Sequence, residues 1–257
     1  MNPALQQLFA QRSDIWRNRD RRFAASHVAT NRAHNQTTGF AALDSELHGS
    51  GWPRGALTEL LLTQPGSGEL FLLTPLLAEV SHRRLLHVWI NPPFIPYAPA
   101  LLQRGIALDS LLLVRGEPQH HLWACEQALR STACGAVLYW PGKQLRYAEL
   151  RKLQVAAAAQ SATGFLFRDT RTARQTSPAA LRMQLNTVDT QLSIQILKQR
   201  GRAAGQRVLL PREQTLQATV PFNATQSPQR IVRLAPARAH TTPPSAVHTA
   251  PVATALR

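Results

Sequence analysis

An apolar run at residues 56–62, a glycine-bearing loop at 63–68 and a second apolar stretch opening at Glu69 follow one another without interruption. The first run, apolar apart from Thr58 and Glu59, reads as a strand. Residues 69–81 carry Leu72, Leu73, Leu76, Leu77 and Val80 at helical spacing, with Pro75 tolerable only near the first turns. Strand, glycine loop and helix in this order open an α/β unit. They also form a natural phosphate cradle, because loop amides and a helix N-terminus converge on one point.

Laid on the P-loop template G-x-x-x-x-G-K-[ST], residues 63–70 keep only the second glycine, Gly68. Glu69 stands where a lysine would meet phosphate, and Leu70 where a hydroxyl would hold magnesium. Gly66, Ser67, Gly68 and Glu69 therefore read as a degenerate nucleotide loop. The same glycines also suit an ordinary strand-to-helix turn in which they serve sterics alone.

Downstream, apolar runs at 85–90, 111–114, 136–140 and 164–167 predict further strands, separated by helices at 97–104, 121–131 and 144–160. Residues 181–185 and 191–197 alternate like an antiparallel hairpin that closes the sheet. The expected fold is α/β, mostly parallel, with helices on both faces. Cys125 and Cys134 are too few for a disulfide framework and read as small core residues. His120 and His121 lack neighbouring ligands at metal spacing and read as a solvated loop, so no metal site or cofactor is expected.

Three regions are expected. Residues 1–36 hold an amphipathic helix at 3–19 followed by a basic linker, with Leu5, Leu8, Phe9 and Trp16 on its apolar stripe. That stripe covers either its own core or another protomer. Residues 37–200 form the core. Residues 201–257 shift to Pro, Ala, Thr and Gln, with seven arginines against the single acid Glu213, and are expected to be disordered. Within them Val208, Leu209 and Leu210, and the stretch 230–234, are candidates for ordering on a partner or for plain linker.

The formal charge of +15 points to a polyanionic partner or an acidic protein surface. Arg168, Arg171 and Arg174, spaced by small hydroxyl residues, are nucleic-acid candidates, although no aromatic stacking platform accompanies them. No apolar run approaches the roughly 20 residues of a membrane span, and no signal peptide opens the chain, so a cytoplasmic protein is expected.

The segments TGFAALDSEL (38–47), GWPRGALTEL (51–60), PGSGE (65–69), GIALDSLL (105–112) and ACGAVLYW (133–140) together resemble the RecA recombinase core. LRKLQ (150–154), GFLFR (164–168) and ILKQR (196–200) continue the resemblance in order. NPPFIPYAPAL (91–101) and ACGAVLYWPG (133–142) are similar to the ImuA type, RecA-related proteins sometimes filed with SulA-like proteins. The likeness spans roughly residues 5–205.

That resemblance implies a RecA-like sheet without the parts that bind and hydrolyse ATP. Pro93 falls where the family carries its water-activating glutamate, and Trp140 where the Walker B strand should end in aspartate. It further implies a non-enzymatic, nucleoid-associated accessory of SOS-induced translesion synthesis. The implied partners are an ImuB-type polymerase homologue, an error-prone DnaE-type polymerase and RecA, with single-stranded DNA as a further candidate. Lys198 and Arg200 match a basic pair that RecA presents to its neighbour's nucleotide, which makes them partner-binding candidates alongside the N-terminal stripe. The alternative is a SulA-like division inhibitor that binds FtsZ.

Overall fold

The computed structural model describes residues 35–212 and a short strand at 231–233. The N-terminal stripe of Leu5, Leu8, Phe9 and Trp16 lies outside the described residues.

A short helix α1 (Ala41–Asp44) precedes β1 (Leu57–Leu62), the glycine loop and α2 (Glu69–His82). Then follow β2 (Leu86–Ile90), α3 (Ala98–Gln103), β3 (Leu111–Arg115) and α4 (Pro118–Leu129). β4 (Cys134–Tyr139), α5 (Tyr147–Ala158) and β5 (Thr163–Asp169) complete the alternating part. β6 (Leu181–Val188), β7 (Gln191–Gln199), β8 (Arg207–Pro211) and β9 (Ile231–Arg233) finish the sheet.

The strands form one nine-stranded sheet in the order β8-β7-β6-β1-β5-β4-β2-β3-β9. From β6 to β9 every neighbouring pair is parallel, and β6-β7-β8 is antiparallel. Asp189, at φ +51°, makes the tight turn between β6 and β7. The chain is therefore α/β, mostly parallel, with an antiparallel hairpin at one end.

Alternation along the central strands sends side chains to opposite faces. Leu60, Leu62 and Trp89 join one apolar cluster with Leu72, Leu73, Leu76 and Leu77 of α2. Leu57, Val88 and Ile90 join the other, with Leu129 of α4 and Leu150 and Leu153 of α5. Helices thus cover both faces. Cys125 and Cys134 are buried in the second cluster as free thiols, and burial pushes the Cys134 thiol up to about 12.

α2 runs unbroken through Pro75, well past its first turn. The proline ring lies where a side chain at position 39 would stand: a Cβ there would come within 2.5 Å of Pro75 Cβ. Gly39, at φ +86°, therefore lets the chain before α1 cross the helix at close range. α4 starts earlier than its apolar spacing predicts, because Pro118 occupies the first turn, where its missing N–H is not needed. This overturns the loop reading of His120 and His121, which are helical; His121 is buried, and burial lowers its imidazole below the usual range.

The sheet also continues past the expected boundary at residue 200. β8 pairs antiparallel with β7, from Gln195 opposite Arg207 to Gln191 opposite Pro211. Val208 and Leu210 point into the core, while Leu209 is half exposed. Strand periodicity in this island serves the molecule's own sheet, where disorder, as plain linker or as a segment ordering on a partner, was expected. β9 pairs parallel with β3, in register from Leu113 opposite Ile231 to Arg115 opposite Arg233.

Candidate functional site

The glycine loop joins the carboxyl end of β1 to α2, with Gly66 at φ +86° and Gly68 at φ +102° as the helix N-cap. These left-handed conformations explain why glycine stands at both positions. Ser67 Oγ donates to Gln64 O at 2.6 Å and tightens the turn. Glu69, the first residue of α2, folds back over the loop and is 4% exposed. Its Oε1 accepts from Gly66 N at 2.8 Å. The loop amide therefore meets a carboxylate of its own chain, and Glu69 stands as an internal acceptor at the mouth of the cradle. Glu69 Oε2 is buried and has no hydrogen-bond partner.

In open α/β sheets the crevice beyond the carboxyl ends of the strands is the usual ligand position. Here aromatic rings line it. Trp140, just past β4, stacks on Phe167 of β5 with ring centroids 4.1 Å apart and planes at 15°. Trp89 of β2 lies against the Trp140 ring, with centroids 6.1 Å apart. Asn91, at φ +53°, donates from Nδ2 to Trp140 O at 2.9 Å and ties the ends of β2 and β4 together. A cavity of about 380 Å³ remains beside this stack, bounded by Glu69, Trp89, Arg104 and Trp140 and by the proline-rich loop 92–97.

The basic candidates scatter. Arg168 is withdrawn from the surface: Nη1 donates to Glu59 Oε1 at 3.1 Å, Nη2 donates to Gln175 Oε1 at 3.0 Å, and the side chain is buried. Its proposed role on nucleic acid is overturned, because a guanidinium held inside the sheet does not reach phosphate. Arg171 is exposed but grips Asp169 with Nε at 3.0 Å and Nη2 at 2.7 Å. Those hydrogen bonds hold the Asp169 carboxyl down at about 2. Arg174 is exposed.

Lys198 Nζ donates to Ser177 O at 2.7 Å, and burial lowers its ammonium pKa, with Arg182 adding repulsion. Arg200, two residues on, is exposed, while its backbone N donates to Ala180 O. The pair is thus split between a half-buried cation and a free-standing one.

Sequence reasoning passed over Glu59, Ser177 and Arg182, which form a buried polar knot with Arg168. The available signal was Glu59 itself, a carboxylate within an otherwise apolar strand run, which has to find donors when buried. Among the described residues no group of His, Cys, Asp and Glu is arranged to hold a metal. No helix among them is long and apolar enough to cross a membrane. Neither a scan of protein-family models nor a search of curated proteins finds a match to this chain.

Proposed function

We propose that this chain is a RecA-like scaffold with a relic P-loop, acting without enzymatic activity in SOS-induced translesion DNA synthesis. Its partners on this reading are an ImuB-type polymerase homologue, an error-prone DnaE-type polymerase and RecA. The observation that carries it is the Glu69 carboxylate on Gly66 N, beside a crevice lined by the stack of Trp140 on Phe167. A phosphate entering the loop would meet an anion already hydrogen-bonded there. The mostly parallel sheet ending in an antiparallel hairpin supports the RecA-like part of the reading. The net charge of +15 supports work beside nucleic acid or acidic proteins.

Affinity purification of the tagged full-length chain from DNA-damaged cells tests this directly. Recovery of the two polymerases or of RecA supports the scaffold. Recovery of FtsZ without them would replace it with a SulA-like division inhibitor.

A further inference from the structure

A second cavity, of about 260 Å³, lies at the opposite end of β1 from the glycine loop, where Ala56 and Ala180 precede β1 and β6. Arg54 and Arg200 line it together with His48, and no aspartate or glutamate does. The adjoining Glu46 is already taken: Arg202 donates from Nη2 to its Oε2 at 3.0 Å. Arg54 is half-buried and Arg200 exposed, and neither side chain has a hydrogen-bond or ion-pair partner among the described residues. Nε of Arg54 is covered, and its Nη atoms are the ones left to meet a ligand. Burial lowers the Arg54 guanidinium pKa, and the charge of Arg83 at the end of α2 lowers it further.

Cations often gather at this end of a parallel sheet, because the carboxyl ends of the helices carry partial negative charge. Ala158, the last residue of α5, lines the cavity, so one such helix end belongs to its wall. That end supplies about half a negative charge, against a full positive charge from each arginine. The surplus is positive, and a half-buried guanidinium without a counter-charge gains when an anion arrives. Arginine's planar fork fits phosphate oxygens two at a time. Asn35 also lines the cavity, and the 34 residues before it carry six arginines against Asp14 and Asp20. A repeating polyanion matches this run of positive charge better than an isolated ion does.

We propose that this cavity takes a phosphate group of a nucleic-acid strand, with Arg54 and Arg200 donating to its oxygens. The site is separate from the glycine loop, so it does not depend on that loop's being closed to nucleotides. Nucleic-acid contact thereby moves from Arg168, which the sheet has buried, to the end of the sheet where Arg54 and Arg200 stand unpaired.

The test uses full-length protein, with fluorescein-labelled decathymidylate followed by anisotropy and inorganic phosphate followed by calorimetry in chloride buffer. Arg54→Gln and Arg200→Gln should each weaken the oligonucleotide by about tenfold, as loss of one charge-assisted contact implies. Each should also flatten the slope of log affinity against log salt by about 0.7, which a merely structural change would leave alone. Arg200→Gln, on an exposed residue, carries the test if Arg54→Gln does not fold. Arg146→Gln, at the other end of α5 and more than a Debye length away, should stay within about twofold. No saturable binding of the oligonucleotide, equal losses in Arg146→Gln, or unchanged salt slopes would overturn the proposal. Phosphate heat that both variants abolish, with the oligonucleotide inert, would replace the strand with free phosphate. Hexaglutamate binding as tightly as the oligonucleotide would replace it with an acidic protein segment.

Discussion

Arg182 Nε on β6 donates to Glu59 Oε2 on the adjacent strand β1 across 2.7 Å, and the two residues face each other in the parallel register. Glu59 Oε1 accepts from Arg168 Nη1 on β5, the other neighbour of β1, and from Ser177 Oγ at 2.6 Å. One carboxylate therefore links three strands. Arg182 also donates to Thr172 O, Ala173 O and Gln175 O, so the same knot orders the loop between β5 and β6. Two cations surround one anion, which leaves the centre dependent on Glu59.

Replacing Glu59 by alanine leaves two buried guanidinium charges without their carboxylate counter-charge. The expected loss is about 3–5 kcal/mol of unfolding free energy. Urea denaturation checks it, with the combined Glu59→Leu, Arg168→Met and Arg182→Met variant expected to regain most of the loss. A change below about 1 kcal/mol for Glu59→Ala would show that the knot does not hold the strands together.

Mg-ATP is expected to give no saturable heat with micromolar full-length protein, since the Glu69 carboxylate occupies Gly66 N. Saturable binding that disappears on substituting Gly68 would contradict this.

His87 on β2 is buried beside Ser81 Oγ, 3.3 Å from Nε2, and burial holds its imidazole down at about 4. The folded state therefore resists a proton that the unfolded chain accepts near pH 6.5. Stability from the neutral ring is fully present above about pH 6.5 and is lost as pH falls toward about 4, by about 3 kcal/mol in all. Chemical denaturation between pH 7 and 4 should show a shallower decline in His87→Asn than in the parent. Parallel profiles would mean that His87 does not set the slope.

Leu209 and Leu210 are neighbours on β8 with opposite surroundings: Leu210 is 3% exposed and Leu209 is 51% exposed. Leu210→Ala should cost about 2–3 kcal/mol, and Leu209→Ala should stay within about 0.5 kcal/mol. Equal small effects would mean that β8 contributes nothing to the core. Ending the chain at Arg200 should likewise lower the melting temperature, because it uncovers the edge of β7 along with Leu192 and Ile194.

Element type was readable where burial repeats locally. The apolar runs that became β1, β2, β4 and β5 needed only their own composition, since a strand covered on both faces is apolar throughout. The glycines at 66 and 68 likewise announced a turn that only left-handed backbone completes. The helix at Tyr147 began three residues later than its pattern suggested, with Arg146 as its N-cap, whose backbone N donates to Glu149 Oε2 at 2.7 Å. The carboxylate of Glu149 supplies this cap, and a pattern that looks for serine or threonine at the N-cap misses it.

By itself the sequence determined the alternation of strands and helices, the acidic residue that follows the glycine loop and the basic balance of the chain, because each is a property of neighbouring residues. Only the tertiary structure decided which charges are free. Arg168 and Arg182 lie 109 and 123 residues from Glu59, and their burial follows from strand order, which brings β5 and β6 to either side of β1. The same holds for Leu210, whose partner strand gives it a core to enter, and for Trp140, whose ring finds Phe167 only once β4 and β5 pair. Local patterning states what a side chain prefers, but the pairing of distant strands settles what it meets.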